Sequence, residues 1–132
     1  MSNAARGTFA VKNWDEKPYE EIEGGGKLTR ASVTQSFAGD LEGEGKVEYL
    51  MAHRADKTAD FVGLLRAVGS LGGRAGSFVV EVIGTFDGKV AKGAWTVVKG
   101  SATGDLSGLR GKGGFEVPLG PNGTYTLDYE LE

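Results

Sequence analysis

Apolar and polar residues alternate along most of the chain. In "VEYLMAHR", "GSFVVEVIGTF" and "TYTLDYELE", apolar or aromatic residues recur at every second position, and no stretch of useful length follows the helical period. Such alternation is typical of strands with one buried face. About eight segments of this kind, separated by glycine-rich turns, predict an all-β antiparallel meander with little or no helix. A meander of this size closes most naturally into a single eight-stranded β-barrel, because closure removes the exposed edges.

One segment near the N-terminus departs from the alternation. "GTFAVKNW" predicts a first strand with Phe9 and Val11 on one face, but the "EKPYEEIEGGGK" that follows combines a proline, acidic residues and three consecutive glycines. Clusters of proline and glycine are typical of loops. We therefore expect residues 19–27 to form a long loop with freedom to move, within one barrel domain that spans residues 1–132.

The turns predict how the central strands pair. The Asp-Gly dipeptide at 87–88 favours a two-residue hairpin, which would place Gly84 opposite Ala91. Centring the neighbouring turns in the same way places Leu65 between Val82 on one side and Tyr49 on the other. The glycines inside these strands then become neighbours on one wall of the barrel.

This pairing separates the central strands into two faces. One face carries a row of opposite charges, Glu48–Arg66–Glu81, which cross-strand attraction would favour. The other face is apolar and must point inward. It carries Tyr49, Met51, Phe61, Leu65, Phe78, Val80, Val82 and Trp95.

The inward glycines allow two interpretations. With Gly63, Gly84, Ala91 and Gly93 side by side, part of the inner wall has almost no side chains. An eight-stranded barrel is just wide enough to be filled or to hold one small ligand, and such a wall favours a ligand pocket. Alternatively, the glycines only allow the sheet to coil tightly enough to close.

Three stretches of the chain carry a family resemblance: "GLLRAVGSLGGRAGSFVVEVIGTF", "SATGDLSGLRG" and "YTLDYEL". They resemble a bacterial family of small proteins of unknown function, placed with the allene-oxide-cyclase-like barrels, and the resemblance runs from about Gly7 to Leu131. It implies an eight-stranded barrel with a central cavity and carries over no catalytic residues, because no activity is established for the family. Where its members often carry a glutamate and a histidine, this chain has Leu65 and Val82. The resemblance therefore implies an apolar ligand cavity at that place rather than an acid–base couple.

Composition and charge narrow the classes of partner. The net charge is −3 and no basic patch appears, so we expect no nucleic-acid partner. Cysteine is absent, which excludes disulfides and thiol chemistry and fits the cytoplasm. We expect no signal peptide and no membrane association, because no long apolar run occurs. No cofactor is expected.

Few residues of the chain are candidates for binding a metal, transferring a proton or contacting a ligand. His53 is the only histidine, which is too few for an ordinary zinc site, so we expect no metal. It is interpreted either as a water-exposed residue at the barrel rim or as a proton-transfer group there. Aromatic residues with polar tips suit a ligand wall but also serve as core. The candidate ligand-binding residues are Gln35, Tyr49, Met51, His53, Leu65, Val82, Trp95 and Tyr125.

Three functional hypotheses follow. The leading one is binding of a small apolar ligand inside the barrel. The second is a cyclase or isomerase that guides a reactive apolar substrate by positioning it. The third is a structural, self-associating module with a filled barrel, supported by apolar side chains predicted on the outside, which would make the protein a homo-oligomer. The outward residues are Val62, Leu64, Val68 and Val79.

Overall fold

A computed structural model describes residues 3–118 and 120–131. Over these residues the chain forms nine strands and no helix, so no described helix could cross a membrane. The strands are β1 (Asn3–Ile22), β2 (Gly26–Gly39), β3 (Leu41–His53), β4 (Ala59–Leu71), β5 (Arg74–Phe86), β6 (Ala91–Val97), β7 (Thr103–Gly104), β8 (Leu109–Val117) and β9 (Asn122–Leu131).

Eight of the described strands close into a barrel. Each pairs antiparallel with its neighbour in the order β1-β2-β3-β4-β5-β6-β8-β9, and β9 pairs back onto β1. The two-residue strand β7 lies outside this ring and pairs with the beginning of β5. The predicted all-β, closed, eight-stranded antiparallel meander is confirmed.

The prediction of a long loop at residues 19–27 is wrong. β1 and β2 remain paired down to Ile22 and Gly26, so only a tight turn separates them. Gly24 and Gly25 supply its left-handed conformations, with φ of 97° and 104°. Pro18 lies at a β-bulge, one of the few places in a sheet where a residue without an N–H is tolerated. The proline and the glycines shape a long hairpin instead of interrupting it.

The predicted hairpin at 87–88 is also wrong in its length. Phe86 pairs with Ala91 and Gly84 with Gly93, which leaves a four-residue connection. The Asp87 carboxylate explains the longer loop, because it accepts hydrogen bonds from the backbone N–H groups of residues 89 and 90, each at 2.8 Å. An aspartate that caps its own turn in this way stabilises a wider loop than Asp-Gly alone suggests.

The neighbouring strand pairs shift by the same amount. Leu65 lies opposite Val80 rather than Val82, and Tyr49 lies opposite Gly63 rather than Leu65. Each predicted register is therefore displaced by two residues. Because side chains alternate with period two, such a displacement leaves every residue on its predicted face. All eight residues predicted to point inward are buried.

The predicted row of charges is not formed. Glu48 lies opposite Leu64 and instead binds Arg30 on β2, with 3.0 Å between Nη2 and Oε1. Arg66 lies between Lys46 and Val79. The two-residue displacement of each register keeps the side chains on their predicted faces, but it leaves Glu48, Arg66 and Glu81 no longer opposite one another.

The inward glycines are covered by aromatic rings. An added Cβ on Gly84 would come within 2.5 Å of the Phe61 ring, and one on Gly63 within 2.7 Å of the Tyr49 ring. Around the barrel, inward glycines recur opposite an aromatic residue on the adjacent strand. Because glycine has no side chain, the aromatic ring can lie flat on the sheet at that position. The predicted bare wall is therefore filled. The pairs are Gly63–Tyr49, Gly84–Phe61, Gly93–Phe115, Gly123–Phe9 and Gly7–Tyr125.

One half of the barrel is a closed core. Trp95 stacks on Tyr125 with ring centroids 5.9 Å apart and meets Phe37 edge-on at 6.1 Å. The segment between β6 and β8 inserts Leu106, which is 1% exposed, against Gly76 at the beginning of β5. Interior space is left at the other end, where β3 ends and β4 begins.

Candidate functional site

A cavity of about 380 Å³ occupies that open end of the barrel. Residues from seven barrel strands and from the β8–β9 connection line it, and Trp14 stands half-exposed at its rim. Most of its wall is aromatic or aliphatic. The apolar lining consists of Phe9, Val11, Met51, Ala59, Phe61, Phe86, Ala91, Phe115, Val117 and Pro121.

A hydrogen-bonded Glu16–His53 pair forms one side of the cavity. Glu16 Oε2 lies 2.6 Å from His53 Nε2 and accepts a second hydrogen bond, also 2.6 Å, from the hydroxyl of Thr29. Its other oxygen accepts the indole N–H of Trp14 at 2.9 Å. Both side chains of the pair are mostly covered, with 23% of Glu16 and 28% of His53 exposed.

This environment keeps Glu16 ionised. Partial burial raises the pKa of its carboxyl group, but the hydrogen bonds from Thr29, Trp14 and His53, with the charge of His53, outweigh burial and leave the pKa below its ordinary value. When His53 is neutral, its hydrogen bond to a carboxylate places the ring proton on Nε2 and leaves Nδ1 as an acceptor. The described residues place no hydrogen-bond partner on Nδ1.

Sequence reasoning missed Glu16 for two reasons. The segment that contains it was assigned next to a loop, although it continues β1. In addition, a bulge between Val11 and Asn13 moves the inward positions of β1 from odd to even numbers, so that Glu16 lies opposite the buried Ala31. The lone Pro18 and the polar "KNWDE" are weak signals for a bulged strand, and they were not enough to find it.

Two further polar groups line the cavity without a partner. Gln35 and Tyr49 are each 6% exposed, and the hydrogen bonds of the described residues include none made by their side chains. Burial raises the pKa of the Tyr49 hydroxyl, so this group remains protonated and is available as a donor. None of the described side-chain N or O atoms is both fully buried and unpaired, so the polar atoms of Gln35 and Tyr49 reach the cavity space and are available to a ligand there.

The predicted ligand residues divide between the two halves of the barrel. Gln35, Tyr49, Met51 and His53 line the cavity, and His53 is a partly covered member of a pair rather than a free rim residue. The other four candidates lie in the closed core, and the cavity lining does not include them. They are Leu65, Val82, Trp95 and Tyr125.

Tyr125 has its polar tip engaged by the backbone. Its hydroxyl accepts the N–H of Leu41 at 2.8 Å and donates to the carbonyl of Ala38 at 2.9 Å. This ties the β2–β3 turn to β9 and gives Tyr125 a structural role. Leu65 and Val82 likewise lie in the core, outside the cavity that the Glu16–His53 pair borders.

Comparisons with known proteins place this architecture in a family. No curated protein matches the chain. The crystal structure of a protein of unknown function of the DUF3224 family from Shewanella oneidensis MR-1 is similar to the whole chain. Its TM-score is 0.80 and its sequence identity is 27%, with 100% of this chain and 99% of that chain covered. The model of the family described as "Protein of unknown function (DUF3224)" matches residues 5–129. The predicted membership of a family of unknown function is thus confirmed, and the chain belongs to DUF3224.

Proposed function

We propose that the protein binds a small, largely apolar molecule in the cavity at the open end of the barrel. The observation that carries the proposal is the cavity itself, about 380 Å³ with a mainly aromatic and aliphatic wall. This volume and wall chemistry are those of small-molecule sites. Water in contact with such a wall is displaced favourably by an apolar ligand.

Filling the cavity from one strand tests the proposal. Ala91 on β6 lines the cavity, whereas Ala94 on the same strand is exposed on the outside. We expect Ala91→Phe to abolish the binding of a naphthalene-sized hydrocarbon, followed by fluorescence titration, and Ala94→Phe to leave it unchanged. Equal binding by both variants would place the ligand elsewhere, and thermal unfolding checks that both are folded.

A second candidate is an isomerase that moves a proton, and the Glu16–His53 pair at the cavity wall favours it. His53 Nδ1 would take a proton from the carbon between a carbonyl group and a C=C bond, and the C–H electron pair would become a C=C bond of a dienolate. The protonated ring, stabilised by the Glu16 carboxylate, would return the proton to the far carbon of the dienolate, so that the C=C bond moves into conjugation with the carbonyl. This isomerisation needs no oxidant or reductant. The hydroxyl of Tyr49 supports it as a donor to the enolate oxygen.

Hydrogen–deuterium exchange separates this enzyme from a simple binder. We expect the wild-type protein in deuterated water to exchange the methyl hydrogens of 2-acetylnaphthalene faster than buffer does, as followed by proton NMR. His53→Gln should lose the acceleration while still binding the ketone. Exchange at the buffer rate in the wild type would leave binding as the function.

Self-association is a compatible proposal. Val62, Leu64 and Val68 are exposed as predicted, whereas Val79 is half-buried beside Ser101. Four exposed aliphatic side chains form a patch across β3–β5, and patches of this kind favour interfaces. We expect Leu64→Lys to lower the mass measured by light scattering to that of one chain. The predicted cytoplasmic location and lack of nucleic-acid and membrane partners stay predictions. The patch consists of Leu50, Val62, Leu64 and Ile83.

A further inference from the structure

The amide of Gln35, which borders the cavity, distinguishes it from an ordinary apolar gap. Two of the buried polar side chains in the described part of the chain have partners: Thr29 donates to Glu16, and Ser77 is 2.6 Å from the hydroxyl of Thr103. Gln35 is 6% exposed and no described residue accepts from or donates to its amide, whose atoms are open to the cavity rather than sealed in the core. The amide atoms therefore present one acceptor and one donor group to the cavity.

On the adjacent strand, the hydroxyl of Tyr49 is a second polar group that borders the cavity. Gln35 pairs with Gly45 on β3. Tyr49 lies on the same face of β3, four residues further along, so its Cα is about 13 Å from that of Gly45. The Tyr49 hydroxyl likewise has no partner among the described residues and is not sealed from the cavity. Two neutral polar groups thus stand at separate points on an otherwise apolar wall. In small-molecule sites, a few such groups determine the orientation of the ligand.

The charges of the lining decide which ligands fit. The described residues that line the cavity include neither lysine nor arginine, and the one side chain among them that can become a cation, His53, is already bound by Glu16. A carboxylate or phosphate would therefore lose its hydration without gaining a counter-charge. The Glu16 carboxylate adds repulsion to this cost.

We infer that the ligand is a neutral molecule with an apolar body and a carbonyl, amide or hydroxyl oxygen, and that Gln35 and Tyr49 hydrogen bond to it. The inference rests on the proposed binding function and names the chemical class of the ligand. It excludes fatty acids and other organic anions.

Three naphthalene derivatives of nearly the same shape test the inference in the wild-type protein by fluorescence titration. 2-Acetylnaphthalene carries a neutral carbonyl, 2-isopropenylnaphthalene replaces the oxygen with carbon, and 2-naphthoate is the anion. We expect the ketone to bind roughly three- to tenfold more tightly than the hydrocarbon, the contribution of a net hydrogen bond. The anion should bind more weakly than the hydrocarbon.

Variants of matched shape then assign the preference to its residues. The double variant Gln35→Met and Tyr49→Phe removes both polar groups at nearly constant volume. It should bind the ketone no better than the hydrocarbon while retaining the hydrocarbon. Tyr19→Phe on the exposed part of β1 is the control and should keep the wild-type preference.

The outcomes separate the two proposals. If the double variant keeps the preference for the ketone, or if the anion binds the wild type as tightly as the ketone, the inference is overturned and the binding function stands. If none of the three compounds binds the wild type, the binding function is overturned and the inference with it.

Discussion

Replacing Gln35 with methionine should make the unliganded protein more stable. The two side chains have similar length and volume, so Gln35→Met removes the amide while leaving the packing of β2 against its neighbours nearly unchanged. In the native barrel Gln35 is 6% exposed, and its amide has no hydrogen-bond partner among the described residues and is reached only from the cavity. In the unfolded chain the same amide is fully hydrated.

The size of the effect follows from that difference in hydration. A buried polar group without a partner costs about 1–3 kcal/mol. Gln35 borders a cavity rather than solid core, and water in the cavity offsets part of the cost. We therefore expect a gain of about 1 kcal/mol, at the lower end of that range. For a chain of 132 residues this raises Tm by about 3–5 °C.

A matched substitution on the same strand controls the measurement. Thr29 is also buried and inward on β2, but its hydroxyl donates to Glu16 at 2.6 Å. Thr29→Val is nearly isosteric and removes a satisfied hydrogen bond, so it should destabilise the protein by about 1–2 kcal/mol. Urea unfolding followed by tryptophan fluorescence gives both free energies, and equal m-values would show that the two variants unfold the same structure.

Opposite signs for the two variants would confirm the reasoning. A loss of stability in Gln35→Met similar to that in Thr29→Val would mean that the amide has a partner in the free protein, which would refute the argument. The gain in stability should be accompanied by weaker ketone binding, because a group kept for a ligand is unfavourable without it.

Three further predictions concern the pair at the cavity, the tyrosine of the core and the glycines. Since the folded pKa of Glu16 lies below its ordinary value of 4.5, its carboxylate stabilises the barrel above that value and the contribution is lost as pH falls through the folded pKa. Glu16→Gln should therefore be less stable than wild type in urea at about pH 7, and the difference should shrink as pH falls below 4.5 and through the folded pKa; a constant difference would contradict this. Tyr125→Phe should cost about 1–3 kcal/mol in the same assay because its hydroxyl bonds backbone groups. The exposed Tyr19→Phe should cost under about 0.5 kcal/mol, and similar values would argue against the role of Tyr125. Gly93→Ala should cost about 1–3 kcal/mol because its methyl group would overlap the Phe115 ring. Adding Phe115→Leu should recover part of that loss, whereas simple additivity would show that the ring does not need the glycine.

Much of the architecture could be predicted from the sequence. The alternation with period two correctly predicted that Tyr49, Val82 and Trp95 point inward. This prediction stayed correct although the three predicted registers were each displaced by two residues. The face on which a side chain lies is predicted reliably, because only a register displaced by an odd number of residues moves it to the other face of the sheet. The registers were less predictable because they depend on loop lengths, and the Asp87 carboxylate set one of these through hydrogen bonds that a turn dipeptide does not reveal.

The candidate site was only half accessible from the sequence. Tyr49 and His53 lie on regularly alternating strands and were found, whereas Glu16 lies beyond a bulge that reverses the alternation in β1. A bulge depends on how two strands accommodate each other, so a pattern read along one strand does not locate it.

The sequence by itself determined that the chain is an all-β barrel and which of its residues point inward. Only the tertiary structure decided which inward residues surround a cavity. Tyr49 and Trp95 are both buried and aromatic, yet Tyr49 faces open space and Trp95 is packed against Tyr125 and other rings. The physical reason is that alternation is a local property of one strand, whereas empty space is what remains after side chains from all eight strands have packed.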